Sequence, residues 1–146
     1  MSKLTHLDHK GDAHMVDVSD KQATKRRALA GGSITMSAEA FEALADEKVA
    51  KGNVLGIARI AAIQGAKQTA NLIPLCHPLP LSKVGVEFTL VPEEKRVDVE
   101  VTATTVNVTG VEMEALTGVS VALLTIYDML KAVDKRMEIS HIRLLQ

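Results

Sequence analysis

The sequence predicts an α+β layer fold of the split βαββαβ kind, with helices packed on one face of an antiparallel sheet. Three observations carry this. Two alternating apolar runs, 83–91 and 96–108, are separated by a short turn and read as a β-hairpin. Segments of helical spacing, 53–73 and 111–133, bracket that hairpin, and further extended segments stand before the first and after the second.

Taken in order, residues 1–14 are polar, carry His6, His9, His14 and Gly11, and show no periodicity, which predicts a mobile arm. The irregular histidine spacing with no cysteine nearby argues against a metal site there. Met15–Ser19 alternates and reads as extended, as does Ala28–Met36, with the basic run Lys25, Arg26, Arg27 and the pair Gly31, Gly32 expected to break the extended part. Ser37 before an acidic, alanine-rich stretch is an N-cap for a short helix over 38–44. Gly52 and Asn53 end or interrupt it. Over Asn53–Ile73 the small residues Ala58, Ala61, Ala62 and Gly65 recur at helical spacing and would let another element come close. Three of the four prolines fall within Pro74–Pro80, so this segment is a stiff irregular loop. After the hairpin, a long helix over 111–133 is apolar on more than one side, and 137–145 supplies a last strand.

A chain of 146 residues, 47% apolar and 24% charged, fits one globular domain over 1–146 with a real core. Its only aromatics are Phe41, Phe88 and Tyr127, and 17 basic residues balance 18 acidic ones. Both facts argue against nucleic-acid binding, which calls for stacking rings or a clustered positive field. The single cysteine, Cys76, forms no intrachain disulfide, and neither a signal peptide nor an apolar run of spanning length is visible. A soluble cytoplasmic protein with no membrane partner is expected.

Several residues bear chemistry, each with a plain structural alternative. Glu112 and Glu114 open the long helix, where carboxylates are favoured by the helix dipole alone. Asp128 and Lys131 stand three apart, so they form either a surface ion pair or an acid–base pair tuned by partial desolvation in an apolar stretch. Glu114 and Asp128 are separated by about 21 Å of helix at 1.5 Å per residue, so one helix cannot present both to one reacting atom. An antiparallel helix pair across a twofold axis would. His77, fixed between prolines, is as well read as a hydrogen-bonded structural group as a catalytic one, while Cys76 reads as a buried thiol. Lys51, Lys67, Arg26 and Arg59 suit phosphate clamping or plain solvation. No glycine-rich nucleotide loop is present.

Ordered blocks over nearly the whole chain carry a resemblance: residues 13–19, 51–54, 58–61, 72–79, 109–116 and 124–133, including Ile73–Leu79 and Thr109–Leu116. In these the sequence resembles the cyclic pyranopterin monophosphate synthase family, molybdenum cofactor biosynthesis protein C. The resemblance implies a ferredoxin-like subunit in a homohexamer, a trimer of dimers, with active sites at the dimer interface. The implied activity is that of a lyase converting 3′,8-cyclo-7,8-dihydroguanosine 5′-triphosphate, a small nucleotide-derived substrate, to cyclic pyranopterin monophosphate with release of pyrophosphate. It implies Asp128, Lys131 and Lys51 as catalytic, and Leu75, Cys76, His77, Met113 and Glu114 as substrate-binding, with Glu112, Lys67 and Arg26 lining the site. No tightly bound cofactor is implied, though the triphosphate leaves room for a divalent cation such as Mg2+. The sequence departs from the family's usual loop at Val106, Asn107 and Val108, and it ends at Gln146 before the usual Lys- and Gly-rich tail. The competing reading is a non-catalytic ferredoxin-like ligand-binding or regulatory module.

Overall fold

In the computed structural model, which describes residues 5–19, 22–46 and 53–146, a four-stranded sheet is built around two long central strands. β1 (Thr24–Thr35) and β3 (Arg96–Asn107) pair antiparallel along their full lengths, from Thr24 opposite Asn107 to Thr35 opposite Arg96. β2 (Lys83–Val91) adds to the outer side of β3, and β4 (Glu138–Leu144) to the outer side of β1. The spatial order is β2-β3-β1-β4, antiparallel throughout. The helices are α1 (Ala38–Ala45), α2 (Val54–Lys67), α3 (Thr69–Leu72) and α4 (Glu112–Leu130), giving the split βαββαβ order of a ferredoxin-like fold.

The sheet's inner face is made by alternation: Ala28, Ala30 and Ile34 of β1, and Val97, Val99, Val101 and Ala103 of β3, are all buried. α4 lies against them with Ala115, Val119, Ala122, Leu123 and Ile126, each fully covered. Such burial stabilises by about 25 cal/mol per Å² of apolar surface removed from water. α4 is long and apolar enough to cross a membrane, but most of its surface is spent on this core.

Three expectations are corrected. β1 continues through Lys25, Arg26, Arg27, Gly31 and Gly32, because β3 pairs with it along its whole length and β4 pairs with its second half from Ala30, with a register shift between Gly31 and Ser33. Gly32 is required there: an added Cβ would meet Val119 and Leu123 of α4 at 2.8 and 2.9 Å. Residues 15–19 join no strand. The helix expected over 53–73 breaks at Gln68, where the buried Thr69 hydroxyl donates to the Ala66 carbonyl and a second short helix begins. The proposed end signal at Gly52 lies outside the described residues, and Asn53 caps α2 by accepting from the Gly56 N–H at 2.8 Å.

α2 and α4 cross closely through small residues. A Cβ on Gly65 would stand 2.8 Å from Val121 Cβ, and one on Gly118 would stand 3.2 Å from the Ala62 carbonyl oxygen. The Pro74–Pro80 loop leaves α3 beside the start of α4, pinned by the Thr105 hydroxyl donating to the Pro80 carbonyl and by the Ser82 N–H donating to Thr104. At the other end of α4, the Tyr127 hydroxyl donates to the Lys135 carbonyl at 2.7 Å. The Asp134 carboxylate there accepts from the Ser37 N–H at 2.9 Å, joining this end to the start of α1.

Replacement Gly65→Ala tests the crossing. Overpacking costs about 1–3 kcal/mol, and the alanine returns up to about 1 kcal/mol in helix propensity. We expect a net loss of about 1–2 kcal/mol, read as a lower urea midpoint at unchanged slope. A midpoint equal to or above wild type would contradict the close approach.

Candidate active site

A cleft of about 420 Å³ opens where the proline loop meets the start of α4. The loop contributes Leu75, Cys76 and His77, and the first turn of α4 contributes Glu112, Met113 and Glu114. Six residues singled out from sequence thus line one hollow. Val16 and Val18, from the extended segment that avoids the sheet, close a further side. Its alternation is realised here: Val16 and Val18 are partly covered, while Met15, Asp17 and Ser19 face solvent.

Local structure explains these positions. The loop is stiff because its prolines fix φ, and the Cys76 N–H donates back to the Ile73 carbonyl, closing a turn. α4 starts at Val111 with no side-chain cap, so its first turn faces the cleft with carboxylates instead. Gly110 leaves room for the Glu112 carboxylate, which a Cβ there would push aside. Just upstream, the Asn107 side chain accepts from the Val108 N–H at 2.8 Å, shaping the loop that leads into α4.

The electrostatics are those of a desolvated acid site. Glu114 is only 4% exposed, and burial lifts its carboxyl above the usual range, with the neighbouring Glu112 charge adding and its own backbone N–H opposing. Burial and the Glu114 charge likewise raise the Cys76 thiol, so it stays protonated and is no nucleophile at neutral pH. Asp17, just outside, is held low by hydrogen bonds from Ser19, with a smaller contribution from His77. Among the described residues no Lys or Arg lines the cleft.

The other site residues named from sequence lie elsewhere. Asp128 and Lys131 sit near the far end of α4 as an ion pair, Nζ to Oδ1 2.7 Å, each side chain 53% exposed. The expected desolvation of Asp128 within the protomer is therefore wrong: Ile126, Met129 and Leu130 turn inward, and helical geometry turns Asp128 out. Asp128 raises the Lys131 ammonium above its ordinary value by hydrogen bonding and by charge. Arg26 stands outside the lining, where its Nη2 donates to the Val108 carbonyl at 3.5 Å and braces the 107–110 loop. Lys67 is exposed in the last turn of α2, outside the cleft. Lys51 lies outside the described residues. A second hollow, about 670 Å³, lies on the outer face of the sheet and holds none of these residues. There burial would raise Asp98, but hydrogen bonds from Arg96 and Ser33 outweigh it and hold the carboxyl low.

Residues 5–14 are the main departure from expectation. They form a closed hairpin, and Thr5 and His6 line the cleft. The available signal was Asp8 followed three residues later by Gly11, a turn pattern outweighed by the polar composition around it. Among the described residues, no three His, Cys, Asp or Glu side chains group as metal ligands.

A ferredoxin-like α+β protomer with a desolvated acid cleft at the head of its core helix defines a small-molecule site of the α+β class. Comparison carries the assignment further. Residues 15–146 match the model of the MoaC family, and the chain belongs to that family. It is 60% identical over 145 residues to the cyclic pyranopterin monophosphate synthase of Cereibacter sphaeroides, covering 99% of this chain and 91% of that one. Proteins of the same name from Dinoroseobacter shibae and Natranaerobius thermophilus are 56% and 52% identical over 144 residues, with the same coverage.

Because the folded pKa of Glu114 is raised, the native state holds its proton more tightly than the unfolded chain. That contribution to stability is present at low pH and is lost as pH rises from the ordinary carboxylate value through the raised one. Glu114→Gln should therefore leave Tm near wild type at pH 4 and raise it by about 2–4 °C at pH 7. Equal Tm differences at both pH values would show that Glu114 is not desolvated.

Proposed function

We propose that this chain is a cyclic pyranopterin monophosphate synthase, a lyase that converts 3′,8-cyclo-7,8-dihydroguanosine 5′-triphosphate to cyclic pyranopterin monophosphate and pyrophosphate in molybdenum cofactor biosynthesis. It acts as a cytoplasmic homohexamer, a trimer of dimers, with no nucleic-acid or membrane partner. One observation carries the reading: in a chain 60% identical to a protein of that name, Leu75–His77 and Glu112–Glu114 converge on one cleft.

The chemistry divides between two places. Among the described residues the cleft offers imidazole, carboxyl and apolar surface with no lysine or arginine, which suits a neutral, hydrogen-bonding heterocycle better than a triphosphate. There Glu114, holding its proton to higher pH than an ordinary carboxyl, gives and takes a proton at the heterocycle, and His77 orients it. Ring closure on phosphorus needs the opposite environment. A sugar hydroxyl attacks the α-phosphorus as its proton passes to the Asp128 carboxylate; the new P–O bond forms while the α–β bridging bond breaks, releasing pyrophosphate. The Lys131 ammonium stabilises the charge on the departing oxygens, with Lys51, Lys67 and Arg26 as further cations, and a divalent ion such as Mg2+ arrives with the triphosphate.

Because α4 holds the two places about 21 Å apart, the complete site takes Asp128 and Lys131 from a second copy. α4 has a surface for this. Met113, Leu116, Ser120, Leu124 and Tyr127 recur at three- and four-residue spacing between the cleft and the ion pair, and Leu124 is 59% exposed although it belongs to a core helix.

Replacement Asp128→Asn is expected to lower pyrophosphate release by at least about 10² with assembly intact. Near-normal turnover in an assembled variant would reduce Asp128 to an ion-pair partner. Mixing His77→Ala with Asp128→Ala subunits should restore about a quarter of wild-type sites, since half the dimers are mixed and each mixed dimer holds one complete site. No recovery in subunits that demonstrably exchange would exclude a shared site.

A further inference from the structure

The amino-terminal hairpin is built by local chemistry. The Asp8 carboxylate accepts from the Lys10 and Asp12 N–H groups at 2.8 and 3.0 Å. The Asp8 N–H donates to the Asp12 carbonyl, and the Gly11 N–H to the Asp8 carbonyl, with Gly11 at φ +83°. Leu7 then pairs with Ala13, and the His14 N–H donates to the His6 carbonyl at 2.9 Å. The backbone of His6 is thereby held at the hairpin's base, and the residue lies in the lining of the cleft that holds Cys76, His77 and Glu114. Within the same hairpin, His14 Nδ1 is buried without a hydrogen-bond partner.

The hairpin's own backbone bonds are internal, and a two-stranded hairpin is marginal in water alone. Its attachment is the segment leading on to Val16 and Val18, which also line the cleft. Whatever fills the cleft therefore touches both the fixed wall, loop and helix, and this weakly held one. The match to the family model begins at Met15, so the hairpin lies outside it.

We propose that the 6–14 hairpin is a wall of the substrate cleft and that His6 is a binding residue for the heterocyclic end of the substrate. This rests on the function proposed above and adds to it a residue and a segment. A neutral imidazole offers one donor and one acceptor, the complement of a heterocycle's polar edge.

The test uses the full-length protein and the cyclic nucleotide triphosphate itself. His6→Ala should raise KM about five- to tenfold, the size of one neutral hydrogen bond, with a smaller fall in kcat. His6→Gln, which keeps a donor and an acceptor, should recover most of the loss. Asp8→Ala, which opens the turn without removing His6, should also raise KM. Saturating substrate should slow hydrogen exchange at the amides of 11–14 in the wild type. A His6→Ala KM within about twofold of wild type, or unchanged exchange in the hairpin, overturns this proposal while turnover upholds the enzyme assignment. A wild-type protein that neither binds nor turns over the compound overturns both.

Discussion

The structure depends on the crossing of α2 and α4 at backbone distance. Gly65 and Gly118 are the positions where a single methyl group would already press on Val121 or on the Ala62 carbonyl. Such proximity lets alanines, not large side chains, fill the space between the helices, and it suits a chain with so few aromatics. It also sets the functional geometry. The loop bearing His77 leaves the end of the α2–α3 pair just where α4 begins, so the cleft is a by-product of how closely the two helices approach.

That origin explains the cleft's chemistry. A site at the edge of a core is partly desolvated, which moves Glu114 and Cys76 toward their protonated forms. At the far end of the same helix, the solvent-facing side carries the charged pair Asp128 and Lys131. One helix thus offers a partly desolvated, acidic environment at its start and an exposed ion pair at its end. Under the function proposed above, a substrate with a heterocycle and a triphosphate uses both, the ionic end coming from a second copy because one straight helix holds them apart.

Where the sequence was legible, it was so for periodicity or for motif. The alternation of Val97, Val99 and Val101 and the helical spacing of Ala58, Ala62 and Gly65 read directly as the buried faces they are. The loop and helix-start blocks named six residues that line one cleft. The failures share a cause. Lys25, Arg26, Arg27, Gly31 and Gly32 are poor strand formers by local preference, yet they lie in a central strand because β3 pairs with all of them, with β4 adding pairs from Ala30 onward. Asp128 lies in an apolar stretch of sequence but on the wet side of its helix, and the hairpin at 6–14 was hidden by polar composition.

The sequence by itself determined the β2–β3 hairpin, the long helix α4 and the core positions they carry, because these follow from spacing along the chain and from the hydrophobicity of single residues. The tertiary structure decided everything that depends on which elements touch. It ran β1 through a glycine pair, brought an amino-terminal histidine to the cleft, raised a glutamate's hold on its proton by burying it, and set the charged pair apart from the cleft along α4. Those outcomes depend on distances between residues far apart in the chain, and such distances are fixed only when the helices and sheet close on one another.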